Sequence, residues 1–178
     1  MNKSVSAYDY AINAAAGGQG LVICVGNGLL LATITTETSL RSRKEMRIIA
    51  GLAVADLFVG GGALSLGVYR LVMLSVGYSN RRIFTAWDCV KLPPTVSVYI
   101  GAQLAVVMNF VVSVDRYLAV AKPTLYRSLG HGYTRLMLGI AGIYAIVTLT
   151  VLMLSTYFSE TLVPNYTVLC TGWVLSTW

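Results

Sequence analysis

Four stretches of this chain, residues 11–36, 48–74, 95–121 and 136–158, run for more than twenty residues with few or no charges. A bilayer core of about 30 Å takes roughly 20 helical residues to cross, so each stretch is long enough to span it. Lipid offers the backbone no hydrogen-bond partner, which favours helices over open strands. The composition agrees: 11% of the 178 residues are charged, against about 25% in a soluble domain, and mean hydropathy is +0.71. The expected fold is therefore an all-α membrane protein with four transmembrane helices in a single domain covering residues 1–178.

The first stretch is too long for the apolar core of a cleaved signal peptide and has no basic leader beyond Lys3. A net charge of +6 could suggest nucleic acid, but the basic residues fall in short loops between spans, where they report membrane orientation. Eight of them (Arg41, Arg43, Lys44, Arg47, Arg116, Lys122, Arg127 and Arg135) flank the first and third connections, against five on the other side. That asymmetry places the N-terminus outside. The triplets Asn2-Lys3-Ser4 and Asn165-Tyr166-Thr167 fit glycosylation acceptors, and both fall on the expected outer side.

Some polar residues lie where lipid should exclude them. Asp56 stands eight residues beyond Ile48, about 12 Å into the second span at 1.5 Å per residue. Asn27 stands nine residues before Thr36, about 13 Å from the same face. Consecutive spans run antiparallel, so the two should lie at nearly one level. They are either a functional pair or a hydrogen bond that glues two helices. Asp115 and Arg116 close the third span, as an interfacial charge pair or as something more specific. Cys24 lies within the first span; Cys89 and Cys170 both fall on the oxidising side, which favours their pairing although sequence alone leaves connectivity open. The run "VGGGAL" (59–64) lies inside the second span with no strand before it, and suits close helix packing better than phosphate binding.

Taken in order, Asn27, "LAVAD" ending at Asp56, Cys89, "DRY" (Asp115, Arg116, Tyr117), "AKPTLY" (121–126) and Cys170 resemble the first half of a rhodopsin-like (class A) G-protein-coupled receptor. The likeness extends to the divergent chemosensory receptors of nematodes. The resemblance implies an extracellular ligand, a heterotrimeric G protein as partner and a plasma-membrane location. It gives Asp56, with Asn27 beside it, the role of the acid that commonly holds a sodium ion. Arg116 would rest on Asp115 in the inactive state and turn toward the G protein on activation. Tyr117, Pro123, Leu125 and Tyr126 would belong to the surface that the G protein touches. The chain departs from the family pattern in four places: span four lacks its usual tryptophan, Ala105 replaces a serine near the ion, Asn109 replaces an apolar barrier residue, and the stretch from Cys89 to Arg116 is longer than usual. Val98, near where amine receptors keep an acid, argues against a cationic amine ligand. Helices five to seven would lie beyond Trp178, so the chain is expected to be a fragment, truncated gene model or degenerate copy that does not signal alone.

Two other classes are compatible with four spans. One is a small transporter with Asp56 as ion or proton carrier and Arg70 as a second charge; the other is a non-signalling membrane adaptor. Neither explains why DRY, the following "KPTLY" and two outer cysteines occur together. Enzyme chemistry lacks a foothold: His131 is the lone histidine, and there is no metal spacing, phosphate-binding loop or nucleophile motif.

Overall fold

A computed structural model of the chain describes residues 6–77, 82–159, 166–167 and 169–170. Its elements follow in the order α1 (Ala7–Thr36), α2 (Thr38–Arg41), α3 (Lys44–Ser75), β1 (Arg82–Phe84), α4 (Ala86–Val90), α5 (Pro93–Ala121), α6 (Pro123–Ser128), α7 (His131–Ser159) and β2 (Tyr166–Thr167). The four long helices α1, α3, α5 and α7 each carry a window apolar enough to cross a membrane. The fold is that of an all-α membrane protein. Its only departure among the described residues is a two-stranded antiparallel ribbon, β1 with β2, pairing Arg82 with Thr167 and Phe84 with Tyr166.

The helices begin earlier than the apolar runs because polar end chemistry carries them beyond the lipid. A capping box starts α1: the Ser6 hydroxyl accepts from the Tyr8 N–H at 3.3 Å, while the Ser6 N–H donates to Asp9 at 3.0 Å. Pro93 opens α5 at a position where its missing N–H would have had no partner anyway. The inner helix α6 likewise begins with a proline, Pro123.

In the middle of the bundle, α3 packs against α1 on one side and α5 on the other, and α7 leans on α5 and α3. Small residues allow this. A Cβ added at Gly20 of α1 would lie 2.6 Å from the Gly60 carbonyl oxygen, so the two backbones touch. On the other side, a Cβ at Gly101 of α5 would lie 2.6 Å from the Val59 nitrogen of α3. Within the glycine run, Gly60 faces α1 and Gly62 faces Val98 of α5, so two of its three glycines serve helix packing. Near the inner end, Ile48, Met108, Val111 and Ala141 form a buried cluster, joining α3, α5 and α7. The outward residues of α7, among them Leu136, Ile140, Ile143 and Val151, are apolar and suit lipid.

Candidate functional site

The inner end of α5 carries the most closely organised polar cluster. Lys122 adopts φ −137°, ψ 66° and ends α5, since the residue before a proline is pushed out of the helical region. The chain then turns back as α6 and brings Tyr126 under Asp115. The Tyr126 hydroxyl lies 3.1 and 3.2 Å from the two Asp115 carboxyl oxygens, and 3.4 Å from Glu45 of α3. One hydroxyl has one proton, so the nearer Asp115 takes most of the bond. Burial, and then the Asp115 and Glu45 carboxyls, hold the Tyr126 hydroxyl far above the usual tyrosine value, so it stays a donor at physiological pH. Asp115 itself is only 2% exposed.

Lys44, the first residue of α3, fastens the same turn. Its ammonium donates to the backbone carbonyls of Tyr126 and, at 3.0 Å, of Leu129. It also lies 3.7 Å from the centre of the Tyr126 ring, a cation–π contact. Lys44 and Glu45 are site residues that sequence reasoning missed. Lys44 entered only as one of the loop cations, and nothing in its neighbours' identity marks it out.

The DRY and inner-loop residues therefore divide into two groups. Asp115 and Tyr126 are buried and bonded to each other, whereas Arg116, Tyr117, Pro123 and Leu125 are exposed beside them. Among the described residues Asp115 is bonded to Tyr126, and no ion pair or hydrogen bond joins it to Arg116. Neighbours on a helix point about 100° apart, and Tyr126 already occupies the carboxyl.

Within the membrane, Asn27 and Asp56 are both half-buried, but no hydrogen bond joins them among the described residues. Asn27 donates instead to the Ile23 carbonyl of its own helix at 3.1 Å. Ala105 of α5 has no side-chain oxygen to offer an ion. Asn27 and Asp56 are an amide and a carboxyl at half-buried positions of adjacent helices.

At the outer end the disulfide joins Cys89 to Cys170, with Cα atoms 5.6 Å apart. Cys89 lies on the short helix α4, which the turn at Lys91 and Leu92 joins to α5. Beside the disulfide, Arg70 of α3 donates to the Leu169 carbonyl at 2.9 Å and to that of Cys170 at 3.4 Å. Cys170 has φ 49°, an uncommon left-handed conformation for a residue with a side chain, and these bonds help hold it. Arg70 thus secures a loop rather than offering a second charge to a transport path. Replacing it with leucine should remove about 1.5 kcal/mol of loop closure. Mild reductant should then open the disulfide roughly tenfold faster, measured by thiol labelling against time. Asn2 and Asn165, the glycosylation candidates, lie outside the described residues.

Comparison with known proteins adds two findings. The family model described as "7 transmembrane receptor (rhodopsin family)" matches residues 26–176. Over 125 residues the chain is 28% identical to a Caenorhabditis briggsae protein named Dopamine receptor 3, covering 68% of this chain and 19% of that protein.

Proposed function

Because the chain belongs to the rhodopsin family of seven-transmembrane receptors, we propose that its four spans are the first four helices of a receptor passing an outside signal to a heterotrimeric G protein. In this multi-pass membrane protein the N-terminus faces outward and α2 and α6 lie at the cytoplasmic surface. The plasma membrane is the site of action. The ligand contacts the outer halves of the bundle. Val98, set against Gly62 of α3, leaves that part of α5 without an acid and favours a ligand that is not a cationic amine.

The observation that carries the reading is the buried Asp115–Tyr126 bond with Arg116 exposed beside it. Tyr126 ties the shape of the inner loop to the position of α5. A ligand that shifts α5 biases that bond, and a G protein on Arg116, Tyr117, Pro123 and Leu125 biases it from inside. Such coupling is reciprocal: each partner changes the other's affinity by the same factor.

The test joins this chain to helices five to seven of a rhodopsin-family receptor in one polypeptide. Tyr126→Phe removes a hydrogen bond to a charged group, about 1.5–3 kcal/mol, which shifts a two-state equilibrium roughly 10- to 100-fold. Basal G-protein output should rise severalfold at equal surface expression. Asp115→Asn should act in the same direction, and Arg116→Ala should abolish evoked output. Unchanged basal and evoked output in all three variants would sink the proposal.

A further inference from the structure

Among the described residues two buried side-chain oxygens lack a hydrogen-bond partner, the hydroxyls of Tyr133 and Thr134 in the first turn of α7. We propose that the Tyr133 hydroxyl is a second seat for the Asp115 carboxyl, taken up when Tyr126 lets go. As a step in activation the exchange rests on the receptor reading above. As a change of hydrogen-bond partner within this chain it stands without it.

A buried hydroxyl with no partner has given up its bonds to water and gained nothing in return. Thr134 has a ready escape, because a threonine hydroxyl turns about one bond to reach a carbonyl of its own helix. Tyr133 has none, since its hydroxyl stands at the end of a rigid ring, beyond reach of its own backbone. A partner must come from a neighbouring element. The Tyr133 ring packs on the buried cluster of Ile48, Met108, Val111 and Ala141. Val111 lies one turn before Asp115, and both are buried residues of α5. Residues four apart share a helix face, so the carboxyl lies next to the cluster that the ring covers. Burial, and then the Asp115 carboxyl, raise the Tyr133 hydroxyl above the usual tyrosine value. It is therefore a donor at physiological pH, and it stands within the field of that acid.

Asp115 has capacity for the bond. A carboxylate offers about four acceptor sites, and among the described residues its side chain accepts from Tyr126 alone. A donor without an acceptor and an acceptor with sites to spare thus share one buried region. The turn between α6 and α7 decides which hydroxyl is used. Tyr126 and Tyr133 lie on opposite sides of Leu129 and Gly130, and Lys44 ties the carbonyls of Tyr126 and Leu129 to α3. With Tyr126 seated, the carboxyl is held toward α6. With Tyr126 displaced, it can turn toward α7 and stay bonded while buried. The released state then escapes the penalty of an unpaired buried acid.

The test compares thermal midpoints of the 178-residue chain in detergent micelles for Tyr133→Phe, Tyr126→Phe and the two together. With Tyr126 in place, Tyr133→Phe should leave the midpoint unchanged or raise it, because the hydroxyl it removes is unbonded. In the Tyr126→Phe chain the same change should lower the midpoint by about 3–6 °C, because it now removes the replacement bond. A second measurement needs no double variant. Fluorotyrosine placed at Tyr133 should show a fluorine resonance that moves when Tyr126→Phe is introduced. A fall in midpoint from Tyr133→Phe with Tyr126 in place would mean that the hydroxyl is already bonded, through a water or otherwise, and overturns the exchange. No fall in the Tyr126→Phe chain, or an unmoved resonance, overturns it as well. A silent seven-helix chimera alongside the expected midpoints would sink the signalling reading alone.

Discussion

Serine at both Cys89 and Cys170 is expected to destabilise the folded bundle by about 2–3 kcal/mol. The bridge closes a sequence separation of 81 residues, for which chain entropy in water would give about 4.5 kcal/mol. A membrane lowers that figure. When helices separate in lipid they stay inserted, so the open state retains part of the loop closure that a soluble chain would lose. The loss also reaches beyond the sulfurs: with Cys170 free, Arg70 has no fixed carbonyls to hold. Thermal unfolding in micelles, followed by helix signal, should show a midpoint several degrees lower. Adding reductant to the unmodified chain should reproduce the shift, since Cys24 is the other cysteine and is unpaired. A midpoint unchanged by either treatment would mean that the outer loops do not bear on bundle stability.

The second large effect is expected from a single methyl group. Gly101→Ala would place a Cβ 2.6 Å from the Val59 nitrogen and 2.9 Å from the Ala55 carbonyl oxygen. Both are backbone atoms of α3, so no side chain can swing away, and α3 is itself backed by α1. Overpacking of this kind costs about 1–3 kcal/mol, and the upper end applies where neither helix can yield. Gly61→Ala is the matched control, because nothing lies within 4 Å of its added Cβ. Helix propensity alone favours alanine over glycine by up to about 1 kcal/mol. The two variants should therefore move the midpoint in opposite directions. If Gly101→Ala matched Gly61→Ala, the close approach of α5 to α3 would not exist in the membrane.

How far the sequence foretold all this depends on the length scale of the signal. The four spans were legible because runs of more than twenty apolar residues have few folds open to them. Their ends were not, because Ser6 and Asp9 act through a local hydrogen-bond exchange that hydropathy ignores. Asp115 and Tyr126 could be named from their motifs, yet not as partners, since their contact depends on how sharply Lys122 and Pro123 turn the chain. Counting residues places Asn27 and Asp56 at a common depth along the helix axis but leaves their rotation about it open. Asn27 turned out to satisfy its amide within its own helix. Lys44 was invisible for a related reason: a cation in a basic loop looks like any other until its two carbonyl acceptors, 82 and 85 residues away, are placed beside it.

That lysine has a mechanical consequence. At one end, α6 is continuous with α5 through Lys122, and near the other it is pinned to α3 by the Lys44 bonds to Tyr126 and Leu129. A segment anchored to two neighbours behaves as a connecting rod. If α5 slides along α3, the rod must swing, because neither joint lets it ride passively with one helix. A small axial displacement in the membrane is thereby converted into a tilt of the inner surface.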